Sequence, residues 1–186
     1  FQGRSFRTAY NSQKLWSDYS TKSAKCRLQA SKMFAFDSFQ GLPEFTEDDE
    51  MTQYGIFKTG EYACSLEQFL ENLKAGQVPL EMVEAVEGYY EDTLTPELIK
   101  TKSIGPAVVI HIDCDLYSSA VPVLEFIVPL LQDGTVLLFD DYYCYRANPQ
   151  FGVQRAFKDW IASHNISFTH FANYQWCGCA FVVHPD

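Results

Sequence analysis

Basic residues are scarce in this chain: 14 Lys and Arg stand against 24 Asp and Glu, a formal net charge of -10 with a pI near 4.8. Affinity built on neutralising nucleic-acid phosphates needs clustered Lys and Arg, so no nucleic-acid partner is expected. The chain also lacks a charged-then-apolar leader and any apolar run approaching the roughly 20 residues that span a bilayer. A soluble, cytoplasmic protein with no membrane partner is expected. Cysteine is neither dense nor arranged in metal-type spacing. The six residues Cys26, Cys64, Cys114, Cys144, Cys177 and Cys179 form no C-x-x-C pair, and their scatter is unlike that of a disulfide-stapled secreted domain. Buried free thiols are the expectation. Alternation along a strand would place the one close pair, Cys177 and Cys179, on the same face, with ordinary packing as its expected role. Repeats and low-complexity tracts are absent, and Phe1 stands where an initiating Met would, so a natural protein that continues upstream is expected.

What is present suffices for one globular domain. The 186 residues are 47% hydrophobic and 16% aromatic, enough to bury a single core. Lys32–Phe36 reads as a short buried strand ending at Asp37, and Glu81–Val86 as a second. Ala107–Ile112 is the strongest, an almost continuous β-branched run of the kind a parallel sheet covered on both faces requires; Thr135–Phe139 is similar. Helices are predicted over Arg4–Leu15, after Ser65 with Gln68 in capping-box position, after Thr95-Pro96, after Ser118 or Ser119, and over Gly152–His164. Two closing strands near 167–172 and 179–184 complete the pattern. Strands alternating with helices predict a three-layer αβα, Rossmann-like sheet, mostly parallel with an antiparallel C-terminal strand. Residues 44–62, acidic and aromatic, read as a lid or insertion loop within a single domain spanning 1–186.

Ligands in open α/β sheets bind beyond the carboxyl ends of the strands, where Asp37, Asp92, Asp113, Asp140 and Asp141 fall. Two neighbouring strands ending in Asp113 and in Asp140-Asp141 would bring three carboxylates to one rim. Their repulsion is costly unless a cation or proton is shared, and oxygen-only donors favour a hard ion such as Mg²⁺. A lone Asp after a strand usually makes only a turn or a helix cap; two acidic strand ends in succession weaken that plain explanation.

The blocks Phe36-Asp-Ser-Phe-Gln-Gly-Leu-Pro43, His111-Ile-Asp-Cys-Asp-Leu-Tyr-Ser-Ser119 and Phe139-Asp-Asp-Tyr142 resemble, in that order, the macrocin O-methyltransferase family. The resemblance implies a class I methyltransferase fold, S-adenosylmethionine as methyl donor and Mg²⁺ held by Asp113, Asp140 and Asp141. It places Asp37 and Ser38 at the cofactor ribose and Gly88, Tyr89 and Asp92 near the adenine, with Tyr90 as a second candidate stacking ring. Asp113 is a further cofactor contact, and Gly3 and Ser5 are the tail of a glycine-rich cofactor turn whose preceding strand is missing from this chain. The acceptor it implies is a small hydroxylated molecule, a sugar or other natural product; a homo-oligomer is compatible with it.

Deprotonation of that hydroxyl needs a base. Leu116 stands where catechol-type methyltransferases carry a Lys, so Asp113 is the first candidate and His111 the second, the latter read as a satisfied core histidine. Tyr142, Tyr143, Tyr145 and Arg146 could line an acceptor pocket. Two other readings fit the acidic strand ends: a haloacid-dehalogenase-type phosphatase, disfavoured because no Lys or Arg lies between Leu116 and Phe139, and a glycosyltransferase, which leaves Asp140-Asp141 unexplained. A non-catalytic ligand-binding relative is the third.

Overall fold

The computed structural model describes residues 32–49 and 57–185; the expected Arg4–Leu15 helix, Gly3 and Ser5 lie outside them. The described chain runs β1 (Met33–Asp37), α1 (Leu66–Ala75), β2 (Val83–Glu87), α2 (Tyr90–Thr93), α3 (Pro96–Thr101), β3 (Val109–Ile112), α4 (Tyr117–Ile127), β4 (Val136–Phe139), α5 (Gly152–Ser163), β5 (Ile166–Tyr174) and β6 (Gly178–Pro185). Strands β1 and β2 pair in parallel, and β3, β4, β6 and β5 form a second sheet in that order. Within it β3 and β4 are parallel, while β6 runs antiparallel to both its neighbours. Within this sheet, among the described residues, only the last strand is reversed, as the sequence predicts.

Local chemistry explains where the helices begin. The Ser65 hydroxyl accepts from Gln68 N at 3.2 Å, and the Thr95 hydroxyl from Leu98 N at 3.2 Å, capping α1 and α3. Helix α4 departs from expectation: neither Ser118 nor Ser119 caps it. Its cap is supplied from outside by Asp49, whose Oδ1 accepts from Ser118 N at 3.0 Å while its Oδ2 accepts from Thr46 N and Oγ1 at 2.9 Å. A carboxylate at a helix N-terminus satisfies orphan donors and complements the helix dipole, which is why Asp49 tolerates burial at 4% exposure.

The main core gathers Ile112, Leu124, Leu137, Phe139, Val153, Phe157, Trp160 and Val183 between the second sheet and helices α4 and α5. Phe139 and Phe157 pack with tilted rings, centroids 4.8 Å apart, and Phe36 of β1 meets Phe126 edge-on at 5.6 Å. A smaller cluster of Leu42, Phe57, Leu116, Cys144, Tyr145 and Cys177 packs beyond the β3 and β4 ends. Both described ends of the 44–62 segment are therefore tied down: Asp49 to α4, Phe57 to Tyr145 with ring centroids 6.0 Å apart. Among the described residues, no helix is long and apolar enough to cross a membrane.

Candidate functional site

Register decides which acids meet. His111 pairs with Leu138 and Ile112 with Phe139, so the next step along both strands sets Asp113 beside Asp140, with Asp141 following. One carboxylate oxygen from each of Asp113, Asp140 and Asp141 lies within 4.8 Å of the others. Burial raises the Asp113 carboxyl, the Asp141 and Asp140 charges raise it further, and together they carry it to about 7 against the partial opposition of His111. Asp141 is 3% exposed, and its Oδ2 is buried with no hydrogen-bond partner among the described residues. Three crowded carboxylates and an orphaned buried oxygen fit a hard divalent cation.

The turn between β5 and β6 forms a wall of this site that sequence reasoning missed. Gln175 donates Nε2 to Asp140 Oδ1 at 3.1 Å, and Cys177 donates Sγ to the Asp140 carbonyl at 3.1 Å. Burial, then the charges of Asp140, Asp113 and Asp141, push the Tyr174 phenol upward, and its buried hydroxyl has no partner among the described residues. No local motif marks these residues; only the pairing of β6 with β4 delivers them. His111 also differs from the satisfied core histidine expected of it. Its Nε2 faces Asp140 Oδ1 at 3.7 Å and its Nδ1 is buried without a partner among the described residues.

At the end of β1, Asp37 Oδ1 accepts from Phe39 N at 2.6 Å. The exposed carboxyl is nevertheless raised, by protein packed around the strand end more than the Phe39 N–H lowers it. Its second oxygen takes no hydrogen bond among the described residues and can accept from a diol. Gly88 N donates to the Asp37 carbonyl at 3.0 Å, joining the β1 and β2 ends. Gly88 sits at φ +139°, where a Cβ would press within 2.5 Å of Thr93, so the turn requires glycine.

The other expected cofactor residues divide. Ser38 is buried, its hydroxyl donating to the Gly41 carbonyl at 3.0 Å and accepting from Gln40 N at 3.1 Å; it shapes the loop. Tyr89 precedes α2 and Asp92 is exposed on it. Tyr90 is the inward ring, donating its hydroxyl to the Phe36 carbonyl at 3.3 Å, within the fields of both Asp37 and Asp113. Of the expected acceptor-lining aromatics, Tyr142 packs against Phe139, Phe157 and Phe181, and Tyr145 is 3% exposed. Those two rings are core instead, because the chain turns inward just after Asp141.

The sheet order with its reversed strand defines the Rossmann-like fold of class I methyltransferases. Solved structures share the fold: the O-methyltransferase NovP with a TM-score of 0.65 and 23% identity, over 81% of this chain and 59% of that one, and a calicheamicin methyltransferase with a TM-score of 0.62 and 20% identity, over 81% and 60%. Residues 22–181 match the macrocin O-methyltransferase family, and the chain belongs to that family. Among curated proteins it is 30% identical over 116 residues to the 8-demethyl-8-(2,3-dimethoxy-alpha-L-rhamnosyl)-tetracenomycin-C 4'-O-methyltransferase of Streptomyces olivaceus, covering 61% of this chain and 42% of that protein. It is 28% identical over 111 residues to the mycinamicin III 3''-O-methyltransferase of Micromonospora griseorubida, covering 57% and 42%. The matched region thus spans about two fifths of those relatives' length.

Proposed function

We propose that this chain is a single methyltransferase domain that moves a methyl group from S-adenosylmethionine to a hydroxyl of a sugar or other small natural product, with Mg²⁺ held by Asp113, Asp140 and Asp141. The observation that carries the reading is the convergence of those three carboxylates within 4.8 Å at two paired strand ends. Family membership supports the methyl donor, and both curated relatives are named as O-methyltransferases of small molecules, the tetracenomycin one for a rhamnosyl-bearing molecule. It also sets the phosphatase, glycosyltransferase and non-catalytic readings behind this one.

The division of labour follows from the residues. Asp37, with one oxygen fixed by Phe39 N, offers the other to the ribose hydroxyls, a charge-assisted contact. Gly88 keeps the β2 end open beside it, with Tyr89 and Asp92 at the adenine edge; Gly3 and Ser5, outside the described residues, are assigned to the cofactor by the resemblance of the sequence alone. Asp113 is the first candidate to take the acceptor's hydroxyl proton and would also contact the cofactor; His111, facing Asp140, is the second candidate base. Mg²⁺, when bound, supplies Lewis acidity that lowers the hydroxyl's pKa and orients its oxygen. Segment 44–62, anchored at both described ends, serves as the cover that excludes water.

The test incubates the protein with S-adenosylmethionine, Mg²⁺ and a panel of glycosylated natural products, read by mass spectrometry. A gain of one CH₂ unit is expected, abolished by chelation and by Asp140→Asn. Absence of calorimetric binding to S-adenosylmethionine would overturn the reading.

A further inference from the structure

Asp141 faces a second cluster that the methyl-transfer chemistry does not use. Its Oδ1 accepts from Cys144 Sγ at 2.9 Å and lies 3.9 Å from Cys177 Sγ; the two sulfurs are 3.2 Å apart. All three side chains are buried, at 3%, 8% and 4% exposure. Asp141 and Cys144 are three residues apart on one helix-like turn, where Cys144 N donates to the Asp141 carbonyl at 3.2 Å. Cys177 comes from the β5–β6 turn, already bound to that segment by Tyr143 N donating to the Cys177 carbonyl at 2.9 Å. The backbone therefore holds the three donors together without needing a ligand to fold them into place.

We propose that Asp141, Cys144 and Cys177 form a second metal site, selective for a thiophilic divalent ion such as Zn²⁺, which adjoins the Mg²⁺ site and shares Asp141 with it. Bond lengths of about 2.3 Å to sulfur and about 2.0 Å to oxygen give a tetrahedron with edges of roughly 3.4–3.8 Å. The observed separations of 2.9, 3.2 and 3.9 Å bracket that range, so shifts of about half an ångström complete the geometry. The Asp140 carbonyl, 3.1 Å from Cys177 Sγ, or a water fills the fourth position. A second argument comes from charge. Asp141 is a buried carboxylate whose Oδ1 is met at hydrogen-bond distance by the Cys144 thiol, and S–H is a weak donor. Its Oδ2 has no partner among the described residues. Buried anions are retained when paired or bound to a metal. On binding, two S–Zn bonds replace two S–H bonds, both protons leave to water, and no electron is transferred. The ion would clamp the chain after β4 to the β5–β6 turn and fix the rotamer of Asp141, so occupancy of this site would set the geometry of the neighbouring one.

The same sulfurs invite a disulfide reading, but both thiols are buried and Cys144 is held as a donor by Asp141, unlike the exposed thiolates of redox sensors.

The test titrates reduced, metal-stripped protein with Co²⁺ and then Zn²⁺. One equivalent of Co²⁺ should give thiolate charge-transfer absorption and the intense visible bands of tetrahedral cobalt, bleached by Zn²⁺. Cys144→Ser and Cys177→Ser, checked for folding by circular dichroism, should each lose the charge-transfer band, whereas Asp113→Asn should retain it. Failure of the Mg²⁺ reading would thus leave this signal intact. As a check independent of any variant, X-ray absorption of the zinc-loaded wild type should show two sulfur neighbours. An all-oxygen or all-nitrogen shell, unchanged uptake by the double Ser variant, or a Cys144–Cys177 disulfide in the protein as isolated would overturn the proposal.

Discussion

Removing divalent metal should make this protein less stable as the pH rises, the reverse of the usual behaviour of carboxylates engaged in ion pairs. In the folded, metal-free chain Asp113 keeps its proton up to about 7, whereas an unfolded Asp loses it near 3.9. Between those values the folded state binds more protons than the unfolded state, so unfolding free energy falls with rising pH. A displacement from 3.8 to about 7 sets an upper bound of about 4 kcal/mol, and partial solvation at the rim reduces the expectation to about 2–4 kcal/mol. The loss begins above about pH 4 and is complete once the pH exceeds about 7. Mg²⁺ at 100 times its dissociation constant should return about 2.7 kcal/mol at neutral pH and little near pH 5. Urea denaturation of chelator-treated protein across this range, compared with Asp113→Asn, isolates the contribution from other titrating groups. If wild type and Asp113→Asn show the same pH slope, the crowding of carboxylates inferred here is wrong.

Replacing Asp37 with Ala removes a charge-assisted contact to the ribose; binding of S-adenosylmethionine, measured by calorimetry, should weaken by about 10- to 100-fold, in line with 1.5–3 kcal/mol for such bonds. Asp49→Ala strips the outside cap from α4, and chemical denaturation should register a loss of about 1–3 kcal/mol; a change within error would mean the Ser118 N contact is not energetically formed. Gly152→Ala meets a φ of +55° and places a methyl 2.1 Å from the Tyr145 ring, so thermal melting should show destabilisation exceeding about 1 kcal/mol.

The elements that sequence reasoning located are those whose information is local. Strands β3 and β4 announce themselves as apolar runs that stop at an acid, and Ser65 and Thr95 cap the helices that follow them by accepting from the N–H three residues on. Asp113, Asp140 and Asp141 meet because the two strands pair in register, a consequence of parallel neighbours. What escaped detection depends on distant pairing. Asp49 caps a helix 69 residues away, and Gln175 reaches an aspartate 35 residues away. Cys177 meets Cys144 instead of Cys179 because it lies in the turn ahead of β6, where strand alternation has no force. Tyr142 and Tyr145 look like pocket residues in a string of aromatics, yet the turn after Asp141 directs them into the two cores.

The central claim is tested most directly by Mn²⁺ binding to metal-stripped protein, followed by electron paramagnetic resonance with Mn²⁺ in place of Mg²⁺. One Mn²⁺ per chain should bind to the wild type, and affinity should fall by at least about tenfold in Asp113→Asn, Asp140→Asn and Asp141→Asn, matching the loss of one charged ligand worth about 1.4 kcal/mol or more. Equal Mn²⁺ affinity in the wild type and all three variants would contradict the account.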